Sequence, residues 1–198
     1  MMLRKKTEDR RTQKTRKALS EALISLMFEK SYESIVVQDI LDRANVGRST
    51  FYTHFRDRDE LLVNGLQGLR ELLRNAQTAA RASSARNHEH VIGFSLAMFE
   101  HAYSHKKLYR ALVGGPGWAI VRQHIEDMLV QLMKEEARSL FNKKIASEIR
   151  FELLLHFLGA TFMSVLTWWF NHRKPLSPKE INTLFRELVI PTLAVNLS

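Results

Sequence analysis

The sequence predicts an all-α fold: an N-terminal three-helix unit of helix-turn-helix type, followed by a larger helical domain. Apolar residues return every three or four positions along most of the chain, the period of a helix with one buried face. No stretch alternates apolar and polar residues in the manner of a half-buried strand. The apolar stripes are separated by cap residues, Gly and Pro, as at Asn45-Val46-Gly47, Gly114-Gly115-Pro116-Gly117 and Lys174-Pro175. The expected units span residues 9–62 and 63–198.

Residues 1–8 read as a disordered basic arm, and the first twenty residues hold eight Lys/Arg against two acids. A first helix is expected over 9–29, with Ala18, Leu19, Ala22, Leu23, Leu26 and Met27 recurring at helical spacing. After a connection at 30–34, a helix over 37–44 places Ile40, Leu41 and Ala44 on one side. Asn45 tolerates the left-handed conformation of a tight turn, and Val46 can point inward between the helices. A helix from Arg48 to Phe55 puts Phe51 and Phe55, four apart, on a buried face. Arg48, Ser49, Thr50, Tyr52 and His54 then project outward. A guanidinium, two hydroxyls, a phenol and an imidazole on one face suit phosphates and base edges.

A fourth helix opens at Asp57, with Glu60 in capping-box position, and is expected to run unbroken to about Ala82. Residues 83–87 read as a linker. A fifth helix over 88–104 buries Val91, Phe94, Ser95, Met98 and Ala102, and a short helix follows over 106–113. The glycine-rich run at 114–117 is not a phosphate loop, because no Lys-Ser/Thr pair or strand-turn-helix context surrounds it. A helix over 118–141 turns Val121, Ile125, Met128, Leu129 and Leu132 inward. Residues 147–172 are nearly apolar from Phe151 to Phe170. They read as a buried central helix and not a membrane span, because Glu152 and His156 interrupt them and no second span accompanies them. Ser177-Pro178-Lys179-Glu180 opens the last helix with an N-cap, a proline at the first helical position and a box-closing Glu. Its stripe is Ile181, Leu184, Phe185, Leu188 and Val189, with Pro191 expected to end it.

Composition narrows the function. An apolar content of 45% argues against disorder, and a net charge of +9 with a pI near 10.0 favours polyanionic partners. The absence of cysteine removes disulfides, thiolate metal sites and cysteine nucleophiles. No apolar stretch closely follows the basic N-terminus, so no signal peptide is expected and the cytoplasm is the expected compartment. No paired carboxylates, Ser-His-Asp set or cofactor fingerprint stands at recognisable spacing, so no enzyme, catalytic residue or cofactor is expected. His101 and His105 have metal-ligand spacing, but no acidic or thiol partner lies nearby, so no metal is expected. An enzyme would require His101, His105, His124 and His156 to converge.

Asp39-Ile40, Ala44-Asn45-Val46, Ser49-Thr50-Phe51-Tyr52-Thr53-His54-Phe55 and Arg58-Asp59-Glu60-Leu61 together resemble the TetR family of bacterial transcriptional regulators. The resemblance covers about residues 10–62; beyond that the likeness lies in helix pattern and length alone. It implies base contacts by Arg48, Ser49 and Thr50, and phosphate contacts by Tyr52 and His54. Arg58 falls where the family usually has a phosphate-binding Lys. Two positions depart from the family pattern. Val36 stands where a Thr commonly caps the second helix, with Ser34 as its expected replacement, and Gly47 stands where a Ser commonly opens the recognition helix.

The function expected is a sequence-specific repressor that binds a palindromic DNA operator as a homodimer. A small-molecule effector in the C-terminal domain, with Phe94, Met98, Trp118 and His156 as candidate contacts, is expected to control release. Residues 147–172 and 178–190 are expected to form the dimer interface, with Gly159, Ala160 and Ser164 allowing close approach beside Ile181, Leu184 and Leu188. The competing reading is a nucleoid-associated protein whose C-terminal domain recruits a protein partner.

Overall fold

The computed structural model describes residues 2–83, 87–113, 118–140, 148–172 and 176–197. These residues form helices and one 3-10 turn, with no strand among them. The first unit comprises α1 (Met2–Glu29), a turn at Tyr32–Ser34, α2 (Val37–Ala44), α3 (Arg48–His54) and α4 (Arg58–Gly65). The second comprises α5 (Gln67–Ser83), α6 (Asn87–His90), α7 (Ser95–Ser104), α8 (Lys106–Val113), α9 (Trp118–Leu140), α10 (Glu148–Asn171) and α11 (Pro178–Leu197). The glycine-rich run at 114–117, Arg173 to Pro175 and the linker's centre lie outside the described residues.

One core runs through both units. Leu19, Leu23, Ile40, Phe51, Phe55 and Leu61 close the N-terminal unit. Phe94, Phe99, Phe162 and Phe185 form an aromatic cluster in the second, with the Phe99 and Phe162 ring centroids 4.8 Å apart and Phe162 edge-on to Phe185 at 5.1 Å. Such pairs add about 1 kcal/mol each beyond their burial.

Several expected boundaries move. Residues 2–8, expected as a disordered arm, continue α1 as helical backbone. The single helix expected over 57–82 is broken at Leu66, where the Leu66 N–H donates to the Val63 carbonyl in a tightened turn before α5 begins. The helix expected over 88–104 is broken at residues 91–94, where Gly93 packs so closely on α5 that a Cβ would lie 2.7 Å from that of Ala80. Pro191 does not end α11. The helix absorbs one missing backbone hydrogen bond because Val189, Leu193 and Leu197 extend the buried stripe begun by Ile181 and Phe185.

The apolar helix is only partly central. α10 is long and apolar enough to cross a membrane, with 44% of its most apolar window buried. It buries Phe151, Leu155, Leu158, Phe162 and Leu166, yet exposes Ile149, Leu153, Phe157 and Trp168. Gly159 serves intramolecular packing: a Cβ there would sit 3.1 Å from Val130 of α9. Ile181 is likewise buried in its own chain. The outward apolar set on α11 is Leu184, Leu188 and Val195.

Candidate nucleic-acid interface

The turn between α2 and α3 is built from backbone geometry. Asn45 has φ 52°, the only positive value at a non-glycine among the described residues. Its left-handed conformation lets the Val46 N–H return to the Leu41 carbonyl at 3.1 Å and turns the chain into α3. Gly47 caps α3 in extended conformation, and a Cβ there would meet nothing nearer than Thr50 Oγ1 at 4.0 Å. No steric demand selects glycine at this position.

The N-terminus of α2 lacks a side-chain cap at Val36. Asp39 compensates from inside the helix: its Oδ2 accepts from the Val36 N–H at 2.8 Å and from Lys30 Nζ at 2.6 Å. The Lys30 hydrogen bond, then that from Val36, holds the Asp39 carboxyl below its ordinary range. Ser34 does not replace the missing cap, because its hydroxyl donates to the Ser31 carbonyl.

Phe51 is fully buried and Phe55 is 2% exposed, with their ring centroids 5.8 Å apart. These rings fix the rotation of α3, leaving Arg48, Ser49, Thr50, Tyr52 and Thr53 exposed and His54 half-buried. α3 carries no acidic residue. Arg48 Nη2 donates to Gln38 Oε1 at 2.8 Å, and Gln38 Nε2 donates to Asp42 Oδ1 at the same distance. Gln38 is therefore part of the outward polar surface, a member that α3 periodicity alone does not reveal. Tyr52 stands edge-on against Phe51 at 5.3 Å, so its ring is braced while its exposed part faces solvent.

Arg58 is placed differently from the other candidates. Its Nη1 donates to the carbonyls of Tyr32 and Glu33 at 2.8 and 3.0 Å, and also to that of Ile35. The guanidinium lies 4.7 Å from the Tyr32 ring centroid. It fastens α4 to the turn before α2. Asp57 caps α4 by accepting from the Glu60 N–H at 2.8 Å, while Glu60 accepts from the backbone of Arg56 at 2.7 Å.

The four candidate effector contacts do not converge. Phe94 and Met98 are fully packed in the core, and Trp118 lies at its edge. His156 is exposed beside Lys134 and Glu152 on the α9–α10 surface. A separate cavity of about 310 Å³ lies between the two units. Its walls include Ser20, Leu23 and Met27 of α1, Leu62 of α4, Leu69 of α5 and Ile125 of α9. His101, His105 and Tyr109 complete it from the α7–α8 side, whereas His156 is not among its walls. The His101 and His105 rings lie 4.3 Å apart. Burial, then the neighbouring His105, pulls the His101 imidazole from 6.5 down to about 4.

The chain matches known proteins along most of its length. Residues 19–64 match the family described as bacterial regulatory proteins, tetR family, and residues 89–191 match a transcriptional-regulator C-terminal region of that family. YxbF of Bacillus subtilis strain 168, described as an uncharacterized HTH-type transcriptional regulator, is 38% identical over 65 residues. That match spans 32% of this chain and only 17% of YxbF. A TetR transcriptional regulator from Streptococcus agalactiae is 26% identical, with 92% of this chain and 97% of that chain covered and a TM-score of 0.60. A protein assigned to the TetR-family regulators from Syntrophomonas wolfei has a TM-score of 0.70 at 18% identity, covering 92% and 96% of the two chains. The chain thus belongs to the TetR family of bacterial transcriptional regulators, a family of DNA-binding helix-turn-helix proteins and not of enzymes.

Proposed function

We propose that the protein is a cytoplasmic repressor that binds a palindromic operator as a homodimer and is released by a small molecule. The observation that carries the DNA assignment is the outward face of α3. Arg48, Ser49, Thr50 and Tyr52 are exposed above the buried Phe51 and Phe55. In this reading Arg48, with Gln38 beside it, meets base edges, and Ser49 and Thr50 assist. Tyr52 and His54 hold phosphates, and Arg58 supports them by fixing α4. An Arg reading guanine O6 and N7 supplies about 1–3 kcal/mol of discrimination. One such helix makes few contacts, so a two-fold pair is needed for a specific site.

The pairing surface is the apolar face of α10 and α11. Ile149 is 80% exposed, Leu153 67%, Leu188 72% and Val195 78%. Four-helix pairing of this face with its symmetry copy would bury these residues, which water otherwise solvates unfavourably. Gly159 and Ile181 have no part in it, since both pack inside the chain. The α4–α5 break at Leu66 supports a division there between the DNA-binding and regulatory units. Repression requires only that occupancy of a promoter exclude polymerase.

Fluorescence anisotropy with duplexes selected from a random pool tests the reading. Wild-type protein should discriminate selected from scrambled duplex, and alanine at Arg48, Ser49 and Thr50 together should abolish that discrimination while leaving the dimer intact. Equal affinity of the triple variant for its selected site would overturn the assignment.

A further inference from the structure

The helix-turn-helix body is poor in the charge that a DNA-binding surface needs. Residues 18–62 hold five Lys/Arg against eight Asp/Glu. Most of those cations are already committed. Lys30 is paired with Asp39 at 2.6 Å, Arg43 with Glu29 at 2.6 Å and Arg56 with Glu60 at 3.1 Å, while Arg58 is fastened to backbone carbonyls. Arg48, bonded to the uncharged Gln38, remains to meet an anion. A duplex carries one negative charge about every 1.7 Å of its axis, and affinity for it comes largely from cations that displace its counter-ions. A body with an excess of acids approaches such a surface against repulsion.

The missing charge stands in the stretch just before this body. From Arg4 to Lys17 there are eight Lys/Arg, two acids and no apolar residue. α1 is continuous helix through this stretch and into the body, where its burial begins at Leu19. A helical stretch without an apolar face has nothing to pack on the rest of the chain and nothing to insert into a bilayer. Lys14, Arg16 and Lys17 are exposed, and Lys17 holds only a loose pair one turn along, 3.7 Å from Glu21. Two contacts fix where the stretch lies. From Ser20 onward α1 faces the regulatory unit, with Ser20, Leu23 and Met27 among the cavity walls. One turn earlier, the Arg16 guanidinium lies 5.8 Å from the ring centroid of Phe55, the residue that caps the end of α3. The basic stretch therefore starts beside the end of α3 and leads away from the regulatory unit over about 20 Å of helix.

We propose that residues 4–17 form a second DNA-contact surface, which grips phosphates of the duplex whose groove α3 enters and supplies most of the salt-dependent affinity. The proposal rests on the DNA reading of α3 above and adds a surface to it. Charge complementarity selects the occupant: the stretch offers cations without apolar groups, and a duplex held by α3 brings a row of phosphates beside Arg16. Phosphate contacts position a protein without reading sequence, and base contacts discriminate. Loss of the α1 cations therefore weakens binding to every duplex alike, whereas loss of the α3 groups removes the preference for one.

The test uses the full chain and fluorescence anisotropy with selected and scrambled duplexes, between about 50 and 200 mM KCl. One variant combines Arg4→Gln, Lys5→Gln, Lys6→Gln, Arg10→Gln and Arg11→Gln. It should lower the slope of log affinity against log salt by about two units or more, and weaken both duplexes about thirtyfold or more near 0.15 M salt, with their ratio kept. Lys14→Gln with Lys17→Gln should lower the slope by about one unit, and this pair decides the matter alone if the larger variant loses its fold. Lys107→Gln with Arg110→Gln removes the same charge from the exposed face of α8 and should leave the slope unchanged. An unchanged slope in both α1 variants, or an equal loss from the α8 pair, would overturn the proposal. So would binding to phosphatidylglycerol vesicles that depends on the α1 cations while the DNA slope does not. Absence of any preference for the selected duplex in the wild type would instead overturn the reading of α3, and the slopes would still decide the role of α1.

Discussion

Two surfaces of the molecule are exposed for opposite physical reasons. The α3 face presents Arg48, Ser49, Thr50 and Thr53, with Tyr52 braced on the buried Phe51. Its polar groups are stable in water, and some already hold each other, as Arg48 holds Gln38. The α10–α11 face presents Ile149, Leu153, Phe157, Trp168, Leu184, Leu188 and Val195. The first surface can wait in solvent for a polyanion. The second gains from being covered at once, at about 25 cal/mol for each Å² of apolar area removed from water. In the reading proposed above, the second face pairs permanently and the first binds reversibly.

The largest expected effect comes from breaking the apolar face. Leu188→Glu should convert the dimer to monomer by sedimentation and lower operator affinity towards the non-specific level, about a thousandfold or more. A dimeric variant with unchanged affinity would place the interface elsewhere. Next in size is Phe51→Ala, which removes the buried support of α3 and should cost about 3–5 kcal/mol in chemical denaturation. Its effect on DNA binding should follow unfolding of the N-terminal unit, with the α10–α11 pairing retained.

Arg48→Ala should leave dimerisation and stability nearly unchanged and reduce discrimination at one position of each half-site by about 1–3 kcal/mol. Arg58→Lys sharpens the distinction between contact and support. A lysine cannot reproduce the guanidinium hydrogen bonds to the carbonyls of Tyr32, Glu33 and Ile35, so stability should fall by about 1–2 kcal/mol. The salt dependence of DNA binding should keep its slope. A slope reduced by about one unit would make Arg58 a phosphate contact.

A pH dependence confined to the regulatory side is also expected. His101 is a base whose folded-state value is depressed from 6.5 to about 4. The unfolded chain therefore takes up the proton first. Stability from this group is full above about pH 6.5, declines as pH falls towards 4, and changes no further below that. His101→Phe should flatten that segment of the stability profile, measured by denaturant melts at successive pH values.

The same contrast explains what can be read from sequence. α2 and α8 fall at their expected residues, and the outward register of α3 follows from Phe51 and Phe55 being four apart. Local rules of capping and periodicity suffice there. The break at residues 91–94 accompanies the close approach of Gly93 to Ala80 on another helix, which periodicity along the chain does not mark, whereas that at Leu66 is a local tightening onto the Val63 carbonyl. Pro191 is legible as a helix breaker, but the continuing stripe at Leu193 and Leu197 outweighs it. Arg58 resembles a phosphate contact by position, and only the folded turn shows the carbonyls around it. The cavity is hidden from sequence for a similar reason: its walls come from α1, α4, α5, α7, α8 and α9, and no periodic pattern assembles residues as separate as Ser20 and Tyr109.

The most direct test of paired recognition is selection of bound DNA from random duplexes by the full chain. Two α3 helices related by a two-fold axis should select inverted half-sites whose centres lie on one face of the duplex, about 34 Å or a multiple of it apart. Recovery of single unpaired sites, direct repeats or many unrelated sequences would contradict the account.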